Sequence, residues 1–191
     1  MELLEQKIRK EGKVYAGDVL KVDGFLNHRM DVEFLCLLGK EFHKLFADCG
    51  VNKILTIEAS GIGIACLTAQ FFHCPVLFAK KAKTSNLSDE LWVSEAHSYT
   101  HNTDHKVCVS KSYLGKGDRV LIIDDFLANG SALNALIELC RQSGAEIAGA
   151  GIVIEKAYQE GGDMIRAQGV RVESLARVHS MDPETGIVFE D

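Results

Sequence analysis

The sequence predicts an α/β domain built on a central, mostly parallel sheet flanked by helices. From residue 53 onward, strand-length apolar runs alternate with helix-length runs, which implies parallel strands joined by right-handed crossovers. The four aliphatics of Val120–Ile123 show no apolar–polar alternation, as expected of a strand covered on both faces. That run continues as VLIIDDFLANGSA: two acids at the strand's end, a short Asn-Gly loop, then the helix opener SALNALIELC.

Taken in order, Met1–Glu11 reads as an amphipathic helix, followed by a short extended piece, VLKVDGFLNHRMD. A second helix is expected from Val32 to Asp48, with Phe34, Leu37, Leu38, Phe42, Leu45 and Phe46 at helical spacing and a stop at Gly50. Strand KILTIEA ends at Glu58, the turn SGIG comes next, and IGIACLTAQFF forms a helix. Pro75 opens strand VLFAK, and the polar stretch TSNLSDE precedes two β-rich segments, LWVSEAHSYT and KVCVSK. After the VLII strand and its helix come strand AEIAGAGIVIE, a helix near Asp163–Gln168 and a last clear strand, VRVESLARV. Both prolines fall outside helices, and no internal repeat or low-complexity segment appears.

A chain of 191 residues is expected to form one domain, residues 1–191, with a sizeable core. A net charge of −6, with no basic run longer than Lys80–Lys81, argues against a nucleic-acid surface. No stretch approaches the roughly 20 apolar residues of a membrane span, and MELLEQKIRKEGK lacks an apolar signal core. Cys36, Cys49, Cys66, Cys74, Cys108 and Cys140 include no C-x-x-C pair. They read as small buried hydrophobes of a reduced, cytoplasmic protein.

Three strand ends carry suggestive loops. In an open α/β sheet, ligands bind beyond the carboxyl ends of the strands, and the first turn of a succeeding helix presents free N–H groups and a positive dipole end to phosphate. Acids beside a phosphate cradle suit a ligand with both phosphate and neutral hydroxyls, such as a sugar phosphate. The pair Asp124–Asp125 also fits a plain turn with a helix cap. The loop Glu58–Gly63, EASGIG, is a small-residue turn. It lacks the G-x-x-x-x-G-K-[ST] of a P-loop, and Gly61-x-Gly63 is too little for a dinucleotide fold. Lys80, Lys81 and Lys83 fit either a solvated basic turn or the counter-charge of a leaving anion. Thr84–Glu90 is polar, as a mobile lid is. His97, His101 and His105 are four apart, but their surroundings are strand-like and no carboxylate or cysteine completes a ligand set. They read as surface histidines.

The VLIIDDFLANGSA segment closely resembles the phosphoribosyl-diphosphate (PRPP) signature of the type I phosphoribosyltransferases. Its Ala-Asn-Gly-x-Ala loop, with Asn129 where many members carry Thr, Ser, Ala or Arg, is similar to that of the xanthine phosphoribosyltransferases. The resemblance implies the family fold, including a small base-binding hood over the strand ends. It implies that Asp124 and Asp125 hold the ribose hydroxyls and that Ala128, Asn129, Gly130, Ser131 and Ala132 wrap the 5′-phosphate. Glu58, Ala59, Ser60 and Gly61 would face the diphosphate, with Lys81 as its counter-charge. In the hood, Leu20 and Asn27 match the residues that contact the purine. Lys156, after strand IVIE, matches the group's oxygen-reading lysine. An Asn amide offers donor and acceptor to an oxopurine edge, while a lysine only donates and so disfavours the amino group of adenine.

The activity implied by the resemblance is purine salvage: xanthine and PRPP to xanthosine 5′-monophosphate and diphosphate. Mg²⁺ would be held mainly by PRPP and water near the acid pair, without a metal site made by the protein alone. A homodimer is also implied. Guanine or hypoxanthine could replace xanthine, since each presents a 6-oxo group. A PRPP-sensing regulator shares the loop, but it would need a DNA-binding module, for which the chain has no room before residue 20.

Overall fold

The N-terminal helix α1 (Glu2–Glu11) places Glu2 and Glu5 in its first turn and Arg9 and Lys10 in its last, charges that complement the helix dipole. It buries Leu4 and Ile8. A computed structural model supplies this description for residues 1–82, 90–98 and 103–190. The extended piece after α1 is in fact a hairpin. β1 (Lys13–Tyr15) pairs antiparallel with β2 (Val19–Lys21), through a turn with left-handed backbone at Gly17 and Asp18. A wide single turn, Asp23–Asn27, then buries Phe25 and Leu26.

Helix α2 (Val32–Phe46) is capped by Asp31, whose side chain accepts from the Phe34 N–H at 3.2 Å. It ends two residues before the expected Asp48, because a tighter turn, Ala47–Cys49, leads into Gly50 at φ 64°. Phe34, Leu35, Leu38, Phe42 and Phe46 are buried. Leu37, expected on the same face, is exposed instead. Gly39 permits close packing on α3 (Gly61–Phe72): a Cβ there would stand 2.9 Å from the Thr68 Cα.

The remaining elements build one sheet. Its strands are β3 (Lys53–Ile57), β4 (Val76–Ala82), β5 (Leu91–Ser98), β6 (Thr103–Ser110), β7 (Arg119–Leu127), β8 (Glu146–Lys156), β9 (Val172–Asp182) and β10 (Gly186–Phe189). Helices α4 (Ser131–Ser143) and α5 (Gly161–Ala167) come after β7 and β8. The spatial order is β10-β9-β8-β7-β3-β4-β6-β5. The run from β9 to β4 is parallel, and both edges are antiparallel.

The central strands are apolar on both faces, as VLII predicts. Leu121 and Ile123 join the layer of α1, α2 and α3, while Val120 and Ile122 join the layer of α4 and α5. The chain leaves β3 toward β4 on one side and leaves β7 toward β8 on the other. The strand order therefore switches between β3 and β7, where an open sheet binds its ligands. Among the described residues no helix is long and apolar enough to cross a membrane.

The cysteines are free, but the expectation of burial holds fully only for Cys108 and Cys140. Cys66 is exposed, because it lies on the outward side of α3 between the buried positions Ala65 and Thr68.

Candidate active site

β7 does not stop at the acids as expected but runs on to Leu127, because Phe126 and Leu127 still pair with β8, so its second half carries two carboxylates. Asp124 is 4% exposed and Asp125 9%, and the Asp125 N–H donates to Asp124 Oδ1 at 2.9 Å. Burial, and then the neighbouring Asp125 charge, hold the Asp124 carboxyl well above the usual carboxylate range. The Lys81 charge opposes that rise in part.

Beyond the acids, the loop turns at Gly130, where φ is 82°. Asn129 Oδ1 accepts from the Ser131 N–H at 2.9 Å, and α4 begins at Ser131. Ala128, Asn129, Gly130, Ser131 and Ala132 thus form the turn from β7 into the first residues of α4. A cleft of about 650 Å³ adjoins it, lined by Asn129, Ser131, Asn134, Gln159, Glu160 and Met164 among others.

The second loop stands beside the first. The Glu58–Ala59 peptide is cis, Glu58 Oε1 accepts from the Lys81 N–H at 2.7 Å, and Ser60 leads into α3. A Cβ on Gly61 would stand 3.4 Å from Asp124 Oδ1 and 2.1 Å from Thr56 Oγ1. Glycine is what lets the start of α3 lie against Thr56 of β3, with Asp124 at ordinary contact distance. Lys83 and residues 84–89 of the expected lid lie outside the described residues, as do His101 and the side chains of His97 and His105.

The hood comes from the N-terminal hairpin and the turn after it. Asn27 Nδ2 donates to Asp125 Oδ2 at 3.1 Å, bringing two expected site residues into direct contact. Leu20 packs into the core beneath the hood. Lys156, at the end of β8, donates to the Asp18 carbonyl of the hairpin turn. Burial lowers the Lys156 ammonium from its ordinary range, and the Asp18 charge partly opposes this. The N-terminal segment thus reaches Asp125 through Asn27 and Lys156 through Asp18.

Glu155, beside Lys156, is 1% exposed. Burial pushes its carboxyl up, but Arg166, Ser174 and Arg177 outweigh that and hold it below the usual range. No role is apparent for it from sequence, although an acid closing an apolar strand repeats the Asp124 pattern.

Among the described residues no group of three or more His, Cys, Asp or Glu could hold a metal ion. Two adjacent carboxylates could instead hold water around a Mg²⁺ that arrives on substrate phosphates.

Comparison with known proteins agrees with this geometry. The family model for the phosphoribosyl transferase domain matches residues 41–176. Xanthine phosphoribosyltransferase of Lachnoclostridium phytofermentans is 56% identical over 188 residues, covering 98% of this chain and 97% of that one. The enzyme of the same name from Bifidobacterium longum is 53% identical over 187 residues, 97% of each chain. Among solved structures, adenine phosphoribosyltransferase of Trypanosoma brucei, in complex with AMP, pyrophosphate and ribose-5-phosphate, superposes with a TM-score of 0.77 at 19% identity. It covers 91% of this chain and 79% of that one. The adenine phosphoribosyltransferase of Rhodothermus marinus gives a TM-score of 0.76 at 19% identity, over 93% and 99%. At such identities the structural likeness speaks to the fold alone, whereas the sequence relatives run nearly end to end. The chain belongs to the phosphoribosyltransferase family and, within it, to the xanthine phosphoribosyltransferases.

Proposed function

We propose that this protein transfers a 5-phosphoribosyl group from PRPP to xanthine, giving xanthosine 5′-monophosphate and diphosphate. The observation that carries the reading is the Asn27–Asp125 hydrogen bond. It joins the hood that would take the base to the carboxylate that would take the sugar.

In this reaction the anomeric C–O bond to diphosphate breaks and a C–N bond to the purine forms, with the purine's ring proton passing to solvent. Positive charge develops on the ribosyl ring in between. Asp124 and Asp125 hold the ribose hydroxyls, and the negative charge of the pair favours that developing charge. Ala128–Ala132 hold the 5′-phosphate, while Glu58–Gly61 and Lys81 steady the diphosphate as it leaves. Leu20, Asn27 and Lys156 orient the base. Mg²⁺ bound with PRPP offsets the leaving group's charge. Positioning and electrostatics supply most of the acceleration, so no strong general base is needed.

The reading includes a single domain, a homodimer and a cytoplasmic location, the last supported by six cysteines that remain free. Lys156 supports a 6-oxo base, and that property also admits guanine and hypoxanthine. Diphosphate release with PRPP, Mg²⁺ and each of xanthine, guanine, hypoxanthine and adenine decides among them. Preference for xanthine is expected. Turnover with another base would keep the reaction and overturn the specificity, and PRPP binding without release on any base would turn the reading toward a sensor.

A further inference from the structure

Glu155 takes no part in the chemistry above, yet its carboxylate is 2% exposed and tied to two other elements. Arg166 of α5 grips it from two nitrogens, at 2.7 and 2.8 Å. From β9, Ser174 Oγ donates at 2.5 Å and Arg177 Nε stands at 3.4 Å. A carboxylate this buried is costly unless such partners hold it, and once held it fixes geometry.

What it fixes is the start of α5. A helix of seven residues is too short to be stable alone, so its anchorage determines where it lies. Its first residue, Gly161, rests on the candidate PRPP loop, with its N–H donating to the Ala128 carbonyl at 3.1 Å. A Cβ on Gly161 would stand 2.2 Å from that carbonyl oxygen and 2.5 Å from the Gly130 nitrogen. Gly162 is equally close to the anchor: a Cβ there would be 2.1 Å from Glu155 Oε1. The backbone of α5 is thus held between the carboxylate and the back of the loop.

We propose that Arg166, acting through Glu155, is a positioning residue for the PRPP loop, holding α5 as a rigid backing against Ala128–Gly130. The proposal rests on the reading of that loop as the 5′-phosphate site. Arg166 lies outside the residues assigned to either substrate, and its guanidinium is engaged by Glu155. Its loss should weaken PRPP while sparing the base, because Ser174 and Arg177 still hold Glu155 and the end of β8 that carries Lys156.

The test measures PRPP–Mg²⁺ dissociation constants by calorimetry, with KM for PRPP and for xanthine and the melting temperature. The proteins are wild type, Arg166→Met, Arg166→Lys and Gly161→Ala. Arg166→Met should weaken PRPP about tenfold or more and leave the xanthine KM within about twofold, with Arg166→Lys between it and wild type. Gly161→Ala should reproduce the PRPP loss with the ion pair intact, since it pushes on the loop directly. Unchanged PRPP affinity in Arg166→Met would overturn the proposal. So would equal losses for both substrates accompanied by a lower melting temperature, which would mark general loosening. If Arg166→Met fails to fold, Arg166→Lys decides, and wild-type PRPP affinity there overturns the proposal. Wild type that binds PRPP but releases no diphosphate with any base would defeat the transferase reading alone. Wild type that binds no PRPP would defeat both.

Discussion

Asn27 and Asp125, 98 positions apart, meet through one hydrogen bond of 3.1 Å from the amide nitrogen to the carboxylate. An ionised carboxylate only accepts, so this contact orients the amide. It leaves Asn27 Oδ1 buried and, among the described residues, without a partner. Removing the amide with Asn27→Ala should lower kcat/KM for xanthine by about 10- to 100-fold, the loss expected of one charged hydrogen bond. Steady-state kinetics check this, and an unchanged value would separate the hood from the acid pair.

Asp125→Asn keeps the shape of the site and removes its charge. Turnover with PRPP should fall by about 10² to 10³ while the melting temperature shifts little. Wild-type turnover in this variant would remove Asp125 from the site.

Asp124 predicts a pH-dependent trade of stability against activity. Its folded carboxyl is held above the ordinary value of 3.8, so the folded state keeps a proton that the unfolded chain releases. Stability is therefore lost as pH rises from that ordinary value through the raised one. Asp124→Asn mimics the protonated form. It should melt higher than wild type at pH 7, lose that advantage as the pH is brought down toward 4, and turn over poorly throughout. Thermal melts across pH test the sign, and an advantage that grew in acid would contradict it.

Lys156→Ala should narrow the ratio of oxopurine to adenine turnover, because the donor that disfavours an amino group is gone. Base ratios that stayed at the wild-type value would remove Lys156 from recognition.

Thiol reactivity offers a check on the fold. Burial, with Asp118 adding to it, pushes the Cys140 thiol up to about 12, whereas Cys66 is exposed. Iodoacetamide at pH 8 should modify Cys66 and spare Cys140 until the protein unfolds, which peptide mass mapping would show. Early modification of Cys140 would contradict the packing of α4.

The parallel sheet, the acid pair and the two loops were legible because each is a local pattern of apolar run, turn and helix opener. What escaped depends on contacts distant in sequence. The hairpin of β1 and β2 is only three residues on each side, too short for alternation to declare itself. β10 is held by pairing with β9 rather than by its own pattern. α5 begins at Gly161, two residues before the expected Asp163, with Gly161 and Gly162 in its first turn. In the fold those glycines are required by the crowding of Ala128 and Glu155. Asn27 and Lys156 were found by resemblance, but nothing in the residues alone indicated that one would reach Asp125 and the other Asp18.

The strand order also has a consequence for biosynthesis. β3 sits at the middle of the sheet, and its neighbour β7 arrives late: Asn52 receives the Arg119 N–H across 67 residues. At a ribosome's pace of about 5–20 residues per second, β3 waits roughly 3 to 13 s with one edge open. That edge is a sticky intermediate for any bystander able to add a strand. Stalled nascent chains should remain protease-sensitive around Lys53–Ile57 until β7 has emerged, then become protected together.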